Sequence, residues 1–171
     1  MAHFEMCDRC RAEYEDPTDR RYHAQPIGCH DCGPRLRLDP APPLRGEIEG
    51  AVDLLDDGRT VAVKGLGGFH LACDATSEPS VAELRARKCR PDKPFAVMVA
   101  DLEVARGLAD VSAAEANQLQ SAARPVVLLR ARGDVVSDLV APGNPLIGVM
   151  LPSTPIHHLL VDGTDRVLVM T

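Results

Sequence analysis

Four cysteines stand in two short pairs, Cys7/Cys10 and Cys29/Cys32, separated by 18 residues. Thiolates in this arrangement suit one tetrahedral Zn2+, because each two-residue gap lets both sulfurs of a knuckle reach the same ion. Gly28 and Gly33 flank the second knuckle and let the backbone wrap close to it. Four sulfurs close the coordination shell, so the expected role is structural, with no position left for a catalytic water. Unlinked buried thiols or a redox pair are the alternative reading. His23 and His30 are substitute ligands that rank behind the cysteines.

Two further groups of residues point to anion chemistry. Lys64-Gly65-Leu66-Gly67-Gly68 sets an ammonium and bare backbone N–H groups at a turn where a phosphate or carboxylate could sit. It is neither a Walker A loop nor a dinucleotide fingerprint, and an ordinary tight hairpin with a solvated lysine explains it equally well. Arg85, Arg87, Lys88, Arg90 and Lys93 crowd five cations into nine residues, opposed only by Asp92. A ligand with several phosphates would engage such a cluster, with Arg supplying bidentate contacts. Compensation of a helix C-terminus is the structural alternative. Of His157 and His158, one is expected to be a packed or capping group. Cys73 reads as a small core residue. No Ser-His-Asp set or close carboxylate pair can be read, so the catalytic residues are left unassigned.

These residues need a scaffold, and the composition supports one. Of the 171 residues, 45% are hydrophobic and 26% charged, which favours a folded interior over disorder. A net charge of −6 argues against a chain devoted to wrapping nucleic acid. The apolar runs are too short to span a bilayer, and the first residues lack a secretory pattern, so a cytoplasmic location is expected.

Residues 1–38 are polar and could not hold a fold without a metal crosslink. A proline-rich stretch, 39–46, reads as a linker. Residues 47–171 read as mixed α/β. Helical patterns cover 47–57, 78–90 (ended by Pro91), 102–108, 113–123 and 154–160. Strand patterns cover 60–64, 69–73, 95–99, 126–129, 147–151 and 167–170. Ser112 and Glu115 have capping-box spacing. The last strand runs into Thr171 without a turn, so a C-terminally incomplete domain is expected.

The span from Cys7 to Pro34, with Glu15-Asp16-Pro17 and His23-Ala24-Gln25-Pro26 between the knuckles, resembles the second zinc motif of HypF-type carbamoyltransferases. Four blocks resemble that family's YrdC-like domain: residues 64–74 (KGLGGFHLACD), 87–98 (RKCRPDKPFAVM), 124–129 (RPVVLL) and 148–158 (GVMLPSTPIHH). The resemblance implies a four-cysteine zinc ribbon followed by a YrdC-like mixed twisted sheet with flanking helices. It implies that such enzymes form carbamoyl adenylate from carbamoyl phosphate and ATP, with Mg2+, and pass the carbamoyl group to a cysteine of the maturation protein HypE. The cyanide ligands of [NiFe]-hydrogenase iron derive from it. By similarity, Lys88, Arg90 and Lys93 hold the nucleotide phosphates. Lys64 with Gly67 and Gly68 lines the adenylate pocket, and His157 borders it. The family's other domains are not in this chain, so this piece is expected to be inactive alone. Related YrdC-like proteins make threonylcarbamoyl adenylate for tRNA modification or bind double-stranded RNA. These supply the alternatives, a second enzyme class and a zinc-dependent RNA- or protein-binding module.

Overall fold

The computed structural model describes residues 5–40, 46–133 and 135–171. The chain separates into two compact units, residues 1–41 and 42–171. Most of the expected linker, residues 41–45, lies outside the described residues.

In the first unit, helix α1 (Asp8–Glu15) begins directly after Cys7. Cys7 and Cys10 therefore sit three residues apart across the first helical turn, the spacing that brings two side chains to one side. Arg21 holds the intervening segment, donating to Glu13 Oε2 at 2.5 Å and to the Gly28 carbonyl at 2.8 Å. Cys10 is the only buried residue among those described in this unit. The unit is built from α1 and turns, with no strand among its described residues, so "ribbon" here describes the ligand spacing.

The second unit is a seven-stranded sheet with helices. Its elements are α2 (Glu47–Asp56), β1 (Val61–Lys64), β2 (Phe69–Asp74), α3 (Glu78–Lys88), β3 (Ala96–Met98), α4 (Leu102–Leu108), β4 (Ala109–Asp110), α5 (Ala113–Gln120), β5 (Val127–Ala131), β6 (Leu146–Met150), α6 (Pro155–Gly163) and β7 (Leu168–Met170). The strand order is β1-β2-β7-β3-β6-β5-β4, antiparallel except where β3 runs parallel to β6.

Strand alternation decides which face each residue serves. Cys73, Val97, Leu129, Val149 and Val169 join Val81 and Leu84 of α3, Leu108 of α4 and Leu119 of α5 in the main core. Their neighbours Ala72, Met98, Met150, Leu168 and Met170 are buried on the opposite face. On that face α2 packs against α6 and against β1 and β2.

Local signals explain most boundaries. Ser77 caps α3 by accepting from Ser80 N, and Asp101 caps α4 by accepting from Val104 N. Ser112 and Glu115 form the expected capping box, and the Ser112 hydroxyl and N–H hold the Glu115 carboxyl below the usual range. Helix α3 stops before the expected break at Pro91. Cys89 turns left-handed (φ 50°), and Arg90 N then reaches the Arg85 carbonyl at 3.1 Å, a Schellman-type closure. Helix α5 ends at Gln120, short of residue 123, because Ser121 is extended and Arg124 takes φ 45° ahead of Pro125. Helix α6 runs on to Gly163. Helix α1, the short β4 and a 3-10 turn at Asp138–Val140 have no counterpart in the sequence expectations.

Candidate functional site

The four cysteines converge. Their sulfurs lie within 4.8 Å of one another, with Cys7 to Cys29 at 3.7 Å and Cys29 to Cys32 at 3.8 Å. A tetrahedral site with Zn–S of about 2.3 Å requires sulfur separations of about 3.8 Å, so the donor set fits Zn2+ in both chemistry and spacing. Backbone N–H groups of Cys32 and Asp31, followed by the Arg9 guanidinium, draw the Cys29 thiol down to about 6. Burial, then the neighbouring sulfurs, push Cys10 up to about 12. A cation shared by all four sulfurs would offset that burial cost. Neither histidine joins them. His23 stacks on Tyr14 and Tyr22, with centroids 4.9 and 4.1 Å away, and His30 is exposed.

In the second unit the five cations have different fates. Arg85, one of the five cations and not among the residues assigned to the nucleotide, is buried at 6% exposure. Its guanidinium donates to the carbonyls of Leu139 (2.5 Å), Arg90 (2.8 Å), Pro91 (3.1 Å), Lys93 (3.2 Å) and Val140 (3.2 Å). Burial lowers its proton affinity, but a guanidinium stays charged in proteins. Arg87 is ion-paired with Glu83 one turn earlier. Lys88, Arg90 and Lys93 remain around the loop that Arg85 shapes. Lys88 and Lys93 have no ion-pair partner among the described residues. Arg90 lies 5.6 Å over the Phe95 ring and donates to Thr171 Oγ1 at 3.3 Å.

The glycine turn lines a separate cavity of about 330 Å3, formed by residues 65–70 with Ser153, Thr154 and His157. Gly65 N donates to the Gly68 carbonyl at 2.7 Å, closing the turn between β1 and β2. A Cβ at Gly67 or Gly68 would meet nothing within 4 Å, so both stand before open space. Lys64 is exposed at the end of β1, its Nζ 5.2 Å over the Phe69 ring, and is not among the lining residues. His157 lies at 1% exposure, packed as expected for one of the two histidines, while His158 is exposed. The structure thus brings Gly67, Gly68 and His157 together, and keeps Lys64, Lys88, Arg90 and Lys93 out of that lining.

The sequence reading missed His70, Ser153 and Thr154. The ring of His70 lies 5.9 Å from that of His157. Its signal was its place two residues after the glycine turn, at the start of a strand. Burial, then the neighbouring His70 and His158, keep His157 below the usual imidazole range. Cys73 is a core residue whose thiol burial pushes up to about 12. No helix among the described residues is long and apolar enough to cross a membrane.

A family model described as telomere recombination, covering Sua5, YciO and YrdC, matches residues 53–171, and one described as the HypF finger matches residues 6–38. The chain is 57% identical, over its whole length, to the carbamoyltransferase HypF of Rhodobacter capsulatus, and spans 23% of that protein. It is 48% identical over 94% of its length to the HypF of Rhizobium leguminosarum bv. viciae, spanning 27% of it. Full-length HypF, crystallised in a phosphate- and nucleotide-bound form, matches all of this chain with a TM-score of 0.93 and 46% identity, the match covering 23% of that chain. P. abyssi Sua5 complexed with L-threonine shares the fold alone, with a TM-score of 0.65 and 24% identity over 73% of this chain and 38% of its own. The chain spans about a quarter of the length of the curated relatives it matches. With a four-cysteine cluster of zinc geometry ahead of a seven-stranded α/β unit, the chain belongs to the Sua5/YciO/YrdC family, in the HypF type that couples this fold to a zinc finger.

Proposed function

We propose that this chain supplies the nucleotide site of a carbamoyltransferase that forms carbamoyl adenylate from carbamoyl phosphate and ATP, and passes the carbamoyl group to HypE during [NiFe]-hydrogenase maturation. The observation that carries this reading is the division of labour within the cation cluster. Arg85 is consumed in bonding backbone carbonyls of the loop at residues 90–93, and that loop keeps Lys88, Arg90 and Lys93 at its edge. A loop held by Arg85, with Lys88 at the end of α3 and Arg90 and Lys93 in the loop, suits an anion with several phosphates, because prior hydrogen bonding lowers the ordering cost of binding.

In this reading Lys88, Arg90 and Lys93 stabilise charge on the α-phosphate and on the departing pyrophosphate. The Gly67-Gly68 turn lines the adenylate side, Lys64 stands beside that turn at the end of β1, and His157 borders it. Mg2+, bound with the nucleotide, supplies further neutralisation of phosphate charge. The zinc cluster acts structurally. Full-length HypF, similar over this whole chain, has been crystallised in a phosphate- and nucleotide-bound form, which is in keeping with a nucleotide as ligand.

Calorimetry of ATP with the purified zinc-loaded chain tests the reading, alongside the triple variant Lys88→Ala, Arg90→Ala, Lys93→Ala. Binding that the triple variant loses is the expected result. Equal binding by both would remove the cluster from the nucleotide site. ATP–pyrophosphate exchange that depends on threonine and bicarbonate instead of carbamoyl phosphate would move the reaction to the tRNA-modifying class.

A further inference from the structure

Three features of the cavity beside the Gly65–Gly68 turn say which part of a two-part substrate it suits. Its lining contains no Lys, Arg, Asp or Glu, so a polyphosphate placed there would meet no compensating charge. Two ring nitrogens of its lining residues, Nδ1 of His70 and Nε2 of His157, are buried and have no hydrogen-bond partner among the described residues. Folded proteins rarely leave such groups unpaired unless a ligand or water completes them.

The third feature is the orientation of His157. Its backbone N–H donates to Thr154 Oγ1 at 3.3 Å, which sets the first turn of α6. Its Nδ1 accepts from the Ser153 backbone N–H at 3.4 Å, and Ser153 Oγ lies 3.3 Å from the same nitrogen. A backbone N–H can only donate, so the proton of the neutral ring falls on Nε2. Nε2–H is then an uncharged donor, fixed in place and in need of an oxygen. His70, with its Nδ1 unpaired, sits 5.9 Å away between ring centroids, 27° from parallel. Both rings line the same cavity, so the two unpaired nitrogens belong to one site.

We infer that His157 and His70 recognise the carbamoyl group itself, its carbonyl oxygen accepting from Nε2–H of His157 and its NH2 donating to Nδ1 of His70. This rests on the carbamoyl reading above and moves His157 from the nucleotide to the small co-substrate. The phosphates stay with Lys88, Arg90 and Lys93. A cavity of about 330 Å3 is at the lower end for small-molecule sites, in keeping with one acyl group. The pair is also a specificity device. A carboxylate without an N–H offers two acceptors and leaves Nδ1 of His70 unpaired.

The test uses imidazole 1H–15N spectra of the zinc-loaded chain, titrated with acetamide as a neutral carbamoyl mimic, with acetate, and separately with ATP. Acetamide should shift Nε2 of His157 and Nδ1 of His70 in one saturable curve, with acetate at least five-fold weaker. His70→Phe should weaken the acetamide response at least ten-fold, and His70→Gln, whose amide can accept or donate, should restore part of it. The Lys88/Arg90/Lys93 triple variant should lose ATP and keep the acetamide response. Imidazoles that acetamide leaves unmoved, an unchanged His70→Phe, or a triple variant that loses acetamide together with ATP would each overturn the inference. Absent ATP binding with an intact acetamide response would sink the nucleotide reading and leave the histidine site standing.

Discussion

The guanidinium of Arg85 lies 4.5 Å from the centroid of the Phe95 ring, closed in by that aromatic face and by five backbone carbonyls. Phe95 is itself 2% exposed, so the pair forms a buried post under the loop that carries Arg90 and Lys93.

Replacing Arg85 with Ala should therefore act through this loop. The carbonyls of Leu139, Arg90, Pro91 and Lys93 are part-buried and would lose this donor, while Val140 keeps the Phe95 N–H. An unpaired buried group costs about 1–3 kcal/mol, and the loss of stacking adds to that. Chemical denaturation should show a drop on the order of 3 kcal/mol. Arg85→Lys should recover little, because an ammonium cannot reproduce a planar fork. ATP affinity should fall in both variants although Lys88, Arg90 and Lys93 are intact. A stable Arg85→Ala chain with unchanged ATP affinity would show that the loop holds its shape without the post.

The first unit buries only Cys10 among its described residues, so its folding energy has to come from the metal. One zinc per chain is expected by elemental analysis. Chelation should collapse the amide dispersion of residues 8–33 and leave that of residues 47–171 in place. Cys10→Ser should give the same pattern without a chelator.

His157 gives a pH dependence whose sign follows from its burial. The folded ring binds a proton less readily than the unfolded one. Below about pH 6.5 the unfolded chain then takes up more protons than the folded chain. The contribution is complete above that pH and is lost as pH falls through the folded value. Urea midpoints at about pH 7.5 and about pH 5.5 should differ, and His157→Phe should narrow the difference. An equal fall in that variant would assign the acid sensitivity to other groups.

Gly163, the last residue of α6, allows close approach to α2. A Cβ there would lie 2.8 Å from Val52 Cγ2, and Val52 is buried at 8%. Gly163→Ala should cost about 1–3 kcal/mol from overpacking, more than the helix gain of up to about 1 kcal/mol. Combining it with Val52→Ala should be less than additive, since the second change removes the clashing methyl. Thermal melts of the four-member set check this.

Much of the scaffold is legible in the chain because its signals are local. Ser77, Ser112 with Glu115, and Thr154 with Pro155 each announce a helix within four residues. The β-branched runs ahead of Gly65 and at residues 167–170 fall on β1 and β7. Helix α1 escaped notice because its sequence, DRCRAEYE, has no apolar stripe. It is positioned by the cysteine knuckle and by Arg21, contacts that periodicity does not report.

Residue type and short spacing suffice to define the zinc donors, the cation-rich loop and the α/β order, and all three are written in the chain itself. The roles of individual polar groups come from packing instead. Arg85 looks like its neighbours until Leu139 and Val140, more than fifty residues later, bring carbonyls to its guanidinium. His70 and His157 lie far apart in the chain and become a pair only because the β1–β2 turn and the start of α6 line one cavity. Burial and hydrogen-bond geometry set the charge and direction of such groups, and both arise from residues distant in sequence.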